Sequence, residues 1–393
     1  MLTQMHTDAG KVAGFPCRLR RKKIRSLFLI GNCNFLKMPV RLFSGFLLLF
    51  FFSFLSSFGQ NAASEPDTTK NIFALFASDE LLDVALQFDL TTYLKKNPKT
   101  GSLDGLLIIK TSETDSTDRK VKIKPRGEYR FRTCGFPPIR LDFKKWIFAD
   151  PDSGRIKRLK LVTHCQPGSV YDDYVLREYL VYKLFNVLTD TCFRVRLLRV
   201  NYLDTGKERK PIIQYGFFIE PIQILAGRTK SGITKATNLT QRHIAPYSMD
   251  RVAIFNYMIA QWDWSVPGLH NISVIIPQEF SGRGLGVAIP FDFDLTGLVN
   301  AGYGFPDPKM GINSNRDRIF TGICRSREEF QAALEKFLIR KESFYSVVND
   351  FPYLNERSKK DIISFLDQFF EQLDNQKDLD RLLNNFLDSC KQL

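Results

Sequence analysis

The spacing of apolar residues changes part-way along the chain, and this change limits the folds that the chain can adopt. In the first half, four segments alternate apolar and polar residues with the period of two that is typical of strands. These segments are 81–90, 120–131, 137–148 and 158–165. Helical spacing over 170–188 predicts one helix, and 193–203 with 212–220 predicts an antiparallel strand hairpin. The first half is therefore predicted to be strand-rich with one helix.

The second half has mostly helical spacing and contains one further hairpin. Its predicted elements, in chain order, are helix 248–262, strands 272–277 and 287–291, and helices 326–350, 356–373 and 377–390. Ser248 is the predicted cap of the first of these helices. The glycine-rich segment 281–286 lacks the following helix and lysine of a phosphate-binding loop, so we interpret it as a hairpin turn. Together the two halves predict an α+β fold.

Composition and charge exclude some function classes. The 393 residues are 44% hydrophobic, which is enough for one large domain or two ordinary ones with a substantial core. Residues 1–60 hold nine basic side chains and one acidic side chain, so their net charge is +8. The whole chain has a net charge of +14, which leaves +6 for residues 61–393. A body with so modest a positive charge does not indicate a nucleic-acid partner.

The basic N-terminal segment has the layout of a secretory signal. An apolar run of roughly 17 residues lies within 41–60, behind basic side chains and ahead of small and polar ones. Met38 stands just before this run and is our candidate for the natural start of the protein. We predict a leader over 1–60 and a polar linker over 61–71, hence an exported protein, periplasmic or secreted, without a stable membrane span after cleavage. A signal anchor is the alternative, since a span needs about 20 apolar residues.

Five cysteines follow the leader, and their wide spacing excludes two kinds of site. They are Cys134, Cys165, Cys192, Cys324 and Cys390. Without a CxxC pair they indicate neither a zinc site nor a dense disulfide framework. One or two disulfides are compatible with an exported protein, and the sequence leaves their pairing open.

The segment QWDWSVPGLHN, residues 261–271, places Asp263 between two tryptophans on a loop that follows a predicted helix. Asn271 and Asp292 flank the second hairpin and are equidistant from the midpoint of residues 281 and 282. Residues equidistant from the turn of a regular antiparallel hairpin lie opposite each other. We therefore expect Asn271 and Asp292 to meet at one spot, close to Asp263.

This order of residues is similar to the catalytic constellation of protein kinases. There an Asp on a loop accepts the proton of the substrate hydroxyl, and an Asn and a second Asp hold magnesium ions. By this comparison Asp263 is the candidate base, and Asn271, Asp292 and Asp294 are candidate Mg²⁺ ligands. His270 is interpreted as an orienting or packing residue. The Asn follows the Asp by eight residues here and by five in ordinary protein kinases.

The first half offers candidates for contacts with nucleotide phosphates. A phosphotransferase of this kind needs a cation on a front strand, paired with a carboxylate on the following helix. Lys160 and Glu178 occur in that order, and Arg140 is the rival cation. Arg126, which precedes Gly127, is a further candidate for this site.

At these residues the chain resembles the CotH family of atypical protein kinases. The resemblance depends on KIKPRGEYR (122–130), VLREYLVYKL (175–184), QWDWSVPGLHN (261–271) and IPFDFDLTG (289–297). It implies a two-lobed protein-kinase-like fold, with an N-lobe over 72–225 and a C-lobe with C-terminal helices over 226–393. It also implies ATP and Mg²⁺ as cofactors and phosphorylation of Ser or Thr in an acceptor protein of the bacterial envelope or among secreted proteins.

Two departures from the family pattern bear on ATP binding, and two other functions remain open. The usual Arg-Gly-Asn of the family is Arg126-Gly127-Glu128 here, and no glycine-rich phosphate loop precedes it. The first alternative is a catalytically inactive relative that serves as a binding or assembly module of the cell envelope. The second is a metal-dependent hydrolase, which the presence of only four histidines disfavours.

Overall fold

The computed structural model describes residues 75–95, 101–110, 116–144, 157–236, 238–280, 282, 284–306 and 308–392. All of them belong to one compact unit, Ser64–Leu393. The predicted leader, its start at Met38 and the linker over 61–71 lie outside these residues, and the lobe boundary after residue 225 stays a prediction. Within the described ranges, no helix combines the length and the apolar character that a bilayer crossing requires.

Seven strands close into a barrel in the first half of the chain. They are β1 (Leu82–Phe88), β2 (Leu103–Lys110), β3 (Ser116–Pro125), β4 (Ile139–Phe143), β5 (Arg158–Val162), β6 (Val195–Asp204) and β7 (Ile212–Ile219). Their order around the barrel is β1-β2-β3-β4-β5-β7-β6. Parallel pairing of β1 with β6 closes the barrel, and the other neighbouring strands are antiparallel.

The apolar pattern predicted strands in this part of the chain but did not predict that they close into a barrel. The mixed α and β content is confirmed, but a closed seven-stranded barrel does not confirm the predicted two-lobed kinase-like arrangement. Strand β2 was not among the predicted strands. The C-terminal end of the predicted strand 120–131 is instead a short helix, because the chain turns away from the sheet at Gly127, which has φ 72°.

Nine α-helices that lie wholly within the described residues accompany the strands. They are α1 (Leu90–Lys95), α2 (Tyr129–Thr133), α3 (Ser169–Leu188), α4 (Ile222–Arg228), α5 (Pro246–Met258), α6 (Arg327–Leu338), α7 (Lys341–Asn349), α8 (Glu356–Asp374) and α9 (Gln376–Ser389). Helix α3 packs against β6 and β7. Val175 to Tyr182 of α3 are all buried, so this helix belongs to the core on every side.

A second, three-stranded sheet lies in the helical half. It consists of β8 (Ser231–Ile233), β9 (Ile272–Pro277) and β10 (Val287–Pro290), in the order β10-β9-β8. Helix α5 packs against β10, and one large apolar core joins α3, α5, this sheet and the C-terminal helices. The hairpin β9–β10 and the C-terminal end of α5 therefore rest on a common rigid base, and both lead directly into the candidate site.

Two helix boundaries differ from the predictions. Helix α5 begins at Pro246, with Ala245 as its N-cap, and Ser248 lies inside the helix. The Ser248 hydroxyl accepts a hydrogen bond from Ala288 N at 3.1 Å and so serves the neighbouring strand. The predicted helix 326–350 is two helices, α6 and α7, because the chain turns at Ile339 and lets Phe344 stack on Phe337.

Four of the five cysteines after residue 60 form disulfides. Cys134 at the end of α2 is bonded to Cys165 after β5, and Cys324 before α6 is bonded to Cys390 after α9. Cys192 is buried and free. The two bonds resolve the pairing that the sequence left open, and they are compatible with an exported protein.

Candidate functional site

A cleft of about 600 Å³ lies where the barrel meets the helical half. One wall comes from the end of β3 and from α2, and includes Arg126 and Arg130. The opposite wall comes from the loop after α5 and from the residues that follow β10. It is formed by Trp262, Asp263, His270, Asn271, Asp292, Asp294 and Leu295. Cations on one side thus face carboxylates and an amide on the other.

Asp263 is held in this cleft by two side chains from its own loop. Its Oδ1 lies 2.6 Å from Nε2 of His270, and its Oδ2 accepts a hydrogen bond from Nδ2 of Asn271 at 3.2 Å. The same Asn271 Nδ2 also donates to the backbone carbonyl of Asp263 at 2.7 Å. Trp262 and Trp264 are buried on either side, which fixes the loop against the core. His270 therefore holds the Asp263 carboxylate, which fits the orienting role among the two that the sequence left open.

Gln261 connects the Asp263 loop to the Asp292 segment, and sequence reasoning missed this role. Its buried side-chain oxygen accepts from Asp263 N at 3.3 Å, and its Nε2 donates to the carbonyl of Asp292 at 3.1 Å. On the other side, Asp292 donates its N–H to the Tyr182 hydroxyl at 2.9 Å. The signal in the sequence was the polar Gln261 next to Trp262, at the end of an otherwise apolar helical segment.

The hairpin brings Asn271 and Asp292 to the same cleft, but in a register different from the predicted one. Pro290 pairs with Ile272, so Asn271 lies opposite Phe291, whose N–H donates to the Asn271 carbonyl at 3.0 Å. The predicted partner, Asp292, is one residue further on. A shift by one residue normally moves a side chain to the other face of a strand.

The backbone conformation of both residues compensates for that shift. Asn271 has φ 51° and Asp292 has φ 64°, so both are in the left-handed region that side chains other than glycine rarely adopt. Both side chains consequently line the cleft instead of continuing the alternation of their strands. Strained conformations of this kind are concentrated at functional sites.

A buried arginine lies between two buried carboxylates at the inner end of the cleft. Arg130 Nη1 is 3.9 Å from Glu178 Oε2, and Arg130 Nε is 3.8 Å from Asp294 Oδ2. Arg130 also donates to the carbonyl of Thr163, directly after β5. All three charged side chains are at least nine-tenths buried. This arrangement corrects the predicted Lys160–Glu178 pair, because the cation that faces Glu178 is Arg130.

Burial raises the pKa values of both carboxyl groups. For Asp294 the burial, followed by the nearby Asp292 charge, raises the pKa to about 6 against the opposing effect of Arg130. For Glu178 burial, followed by the Asp294 charge, raises the pKa well above its usual range. Tyr303 adds a long hydrogen bond, from its hydroxyl to Asp294 Oδ2 at 3.4 Å. One guanidinium is thus shared between two groups that both resist ionisation.

Lys160 and Arg140, the two strand residues predicted as phosphate-binding cations, have different surroundings in the structure. Lys160 lies beside the cleft, with its ammonium 4.8 Å from the centre of the Phe291 ring. Desolvation, followed by the charge of Arg126, lowers the pKa of Lys160, and Asp292 opposes this change. Arg140 instead donates two hydrogen bonds to Asp142, at 2.8 and 3.1 Å, and does not line the cleft. Of the two rivals, Lys160 is the one near the candidate site.

Arg126 lies at the cleft wall, directly after β3. Its backbone N–H donates to the carbonyl of Pro138 at 2.9 Å, which fixes the turn before α2. Its Nε is buried and has no hydrogen-bond partner among the described residues. A buried donor without a partner is costly, and an anionic oxygen in the cleft would satisfy it.

The donor set fits a hard divalent cation. Asn271 uses its Nδ2 for Asp263, which leaves its Oδ1 for another partner, and Asp292 and Asp294 add carboxylate oxygens on the same wall. Such all-oxygen sets suit Mg²⁺, which takes few ligands from protein. Within the described ranges, no group of three or more His, Cys, Asp or Glu side chains is arranged to hold a metal ion. The candidate set therefore needs the amide of Asn271.

Comparisons with known proteins identify no family. No family model matches the chain, and no curated protein matches it. Among solved structures, the chain is similar to the Helicobacter pylori proinflammatory kinase CtkA at 13% sequence identity and a TM-score of 0.34. The match covers 67% of this chain and 93% of that one. A TM-score of 0.34 does not establish a common fold.

Proposed function

We propose that this protein is an exported, CotH-like phosphotransferase that uses ATP and Mg²⁺ to phosphorylate Ser or Thr hydroxyls of envelope or secreted proteins. The observation that carries the proposal is the pairing of walls in one cleft. Asp263, Asn271 and Asp292 face the cleft from one side, and Arg126 and Arg130 face it from the other. A phosphate chain with its counter-ion requires this combination of oxygen ligands and fixed cations.

Asp263 is the proposed general base. Its carboxylate is 29% exposed, lines the cleft and is oriented by His270 and Asn271. An acceptor hydroxyl that binds beside Asp263 gives its proton to the carboxylate while its oxygen forms a bond to the γ-phosphorus of ATP. The bond from that phosphorus to the bridging oxygen breaks, and ADP leaves with the electron pair. A base held at hydrogen-bonding distance contributes roughly 10²–10⁴-fold to such a step.

Asn271, Asp292 and Asp294 are the proposed ligands for Mg²⁺. When bound, the ion neutralises charge that develops on the phosphate oxygens. The chain itself contributes the orientation of these ligands. Gln261 and Tyr182 fix the backbone of Asp292, and Asp263 fixes the amide of Asn271.

Arg126 and Lys160 are the proposed contacts for the nucleotide phosphates. Arg126 has an unpartnered buried Nε, and Lys160 lies near both Arg126 and Asp292. Glu178 has a different role from the predicted one: it holds Arg130, which also reaches Asp294. Arg140 is committed to Asp142 and has no part in this proposal.

The proposal is tested with radiolabelled ATP, Mg²⁺ and generic acceptor proteins. We expect label in the acceptor with the unmodified protein, and a loss of roughly 10²-fold or more with Asp263→Asn. Asp350→Asn is the matched control, since the Asp350 side chain makes no hydrogen bond within the described residues. Nucleotide binding without transfer would favour the alternative, a non-catalytic binding module of the envelope. Release of free phosphate alone would indicate a hydrolase.

A further inference from the structure

A second cleft, of about 410 Å³, lies between the N-terminal half of α5 and one side of α6. Three basic residues line it, Arg251 from α5, Lys336 from α6 and Arg340 just after α6. Its apolar lining includes Leu188 and Phe337. None of these residues contributes to the cleft that contains Asp263, so this site is independent of the proposed function.

Arg251 is the residue at this cleft that most needs a partner. It is partly buried, and its guanidinium forms no hydrogen bond or ion pair within the described residues. Its guanidinium lies over the ring of Tyr247, 5.5 Å from the ring centre. Desolvation, opposed by the Tyr247 hydroxyl and reinforced by the charge of Arg340, lowers the pKa of Arg251.

Arg340 and Lys336 also form no ion pair within the described residues, although Lys336 is near enough to Asp250 for its charge to oppose the rise in pKa that burial causes in that carboxyl. Arg340 donates from Nη1 to the carbonyl of Lys336 at 3.0 Å, and its other guanidinium nitrogens make no hydrogen bond within the described ranges. Lys336 is exposed and has no ion pair there. Two arginines and a lysine therefore gather at one cleft at the cost of mutual repulsion.

The two carboxylates of the cleft are already committed elsewhere. Asp250 forms an ion pair with Arg325 at 2.8 Å. Glu329 accepts from the backbone N–H of Ser326 at 2.9 Å, as part of the capping box of α6. Neither carboxylate neutralises Arg251 or Arg340, so the cleft has an excess of positive charge.

We propose that this cleft binds a phosphate group, either free or as a small phosphomonoester. Guanidinium groups match the geometry of phosphate oxygens with paired hydrogen bonds, and an ammonium adds a point charge. Arg251 and Arg340 supply the forked donors, and Lys336 supplies the third cation. Leu188, Phe337 and the ring of Tyr247 give an organic substituent of the phosphate an apolar surface to pack against.

The test is calorimetric titration of the full chain with inorganic phosphate and, separately, with phosphoserine, against chloride at matched ionic strength. We expect both probes to bind, with a dissociation constant at least tenfold weaker in Arg251→Gln and in Lys336→Gln. Tighter binding of phosphoserine than of phosphate would identify a phosphomonoester as the preferred ligand, and equal binding would identify free phosphate. Lys377→Gln, an exposed lysine on α9 without a partner in the described residues, is the matched control and should bind normally.

A second variant separates this site from the Asp263 cleft. Arg126→Gln should retain the phosphate binding that Arg251→Gln loses. Binding that is lost in Arg126→Gln alone, or unchanged in both Arg251→Gln and Lys336→Gln, would overturn the proposal. Lys336 is exposed, so its variant tests the site even if Arg251→Gln does not fold.

Discussion

Arg130 provides the positive charge that allows two carboxylates to be buried beside each other. It lies within 3.9 Å of Glu178 and within 3.8 Å of Asp294, and it is almost fully buried. Removal of one member of such a group leaves an uncompensated charge in the interior. The free-energy cost of that charge is larger than the stabilisation that the intact ion pair provides. Arg130 therefore couples the stability of the fold to the charge state of the cleft.

We expect Arg130→Met to lower the free energy of unfolding by about 3–5 kcal/mol, because Glu178 and Asp294 would lose their counter-charge. Urea denaturation followed by circular dichroism measures this change. Arg132→Met is the matched control. Arg132 is exposed and, among the described residues, pairs with the exposed Glu128, so its loss should cost less than about 1 kcal/mol. Equal effects of the two variants would contradict the role given to Arg130.

The raised pKa of Asp294 predicts a pH dependence of stability. An aspartate ordinarily has a pKa of 3.8, and Asp294 in the folded state has a pKa of about 6. Between these two pH values the folded protein keeps a proton on Asp294 that the unfolded protein has lost. Stability therefore falls as the pH rises through this window, by about 1.4 kcal/mol for each unit of pKa displacement. Asp294→Asn removes this loss, so its melting temperature relative to the unmodified protein should rise from pH 4 to pH 7 in the absence of divalent ions.

The comparison with Asp350→Asn isolates the effect of Asp294. That variant removes a carboxylate that makes no hydrogen bond within the described residues, so its difference from the unmodified protein should stay flat across the same pH range. A flat profile for Asp294→Asn as well would show that Asp294 ionises as easily in the folded state as in the unfolded state.

At the scale of elements, helix α2 is positioned by a disulfide. Cys134 follows directly after α2 and is bonded to Cys165, three residues after the end of β5. Arg130 lies in the same short helix and donates to Thr163, which belongs to the segment between β5 and Cys165. The disulfide and this hydrogen bond thus attach α2, which carries Arg130, to the barrel at two nearby points.

Cys134→Ser with Cys165→Ser should reduce both stability and phosphoryl transfer. The second disulfide, between Cys324 and Cys390, gives a matched control because it lies at the C-terminal helices. Each disulfide closes a loop, and its removal is expected to lower the free energy of unfolding by about 4 kcal/mol. We expect a lower unfolding midpoint in both double variants, and a loss of transfer at permissive temperature only in the first. Equal transfer in both would contradict the positioning role of the Cys134–Cys165 bond.

Periodicity in the sequence predicted the elements whose burial is regular, and it failed where a single residue changes the path of the chain. Helix α3 and strands β6 and β7 were predicted because their apolar residues recur at a fixed spacing over many residues. The five-residue helix α2 is too short to show a period. Closure of the barrel also depends on the parallel pairing of β1 with β6, which no local pattern encodes.

The candidate site shows the same limit at the hairpin β9–β10. The gathering of Asp263, Asn271 and Asp292 at one cleft followed from their order along the chain, although the register differs by one residue. The left-handed backbone at Asn271 and Asp292 could not be predicted, because it depends on bonds from Gln261, Tyr182 and Asp263. Arg130 was missed because its partners are distant in sequence.

At the scale of the whole molecule, the barrel and the helical half each supply one wall of the cleft. In the proposed function, this cleft binds ATP together with Mg²⁺ through Asp292 and Asn271. A ligand that binds only the folded state raises the free energy of unfolding by about 2.7 kcal/mol at a hundred times its dissociation constant. Nucleotide binding is thus detectable as a shift in thermal stability, without knowledge of the acceptor protein.

The most direct test is thermal unfolding of the protein with ATP, in the presence and absence of Mg²⁺, compared with Asp292→Asn and Asp263→Asn. We predict an upward shift that requires both ATP and Mg²⁺, is lost in Asp292→Asn and persists in Asp263→Asn, since Asp263 serves the transfer step and not the ion. No shift with the unmodified protein, or an undiminished shift in Asp292→Asn, would contradict the account.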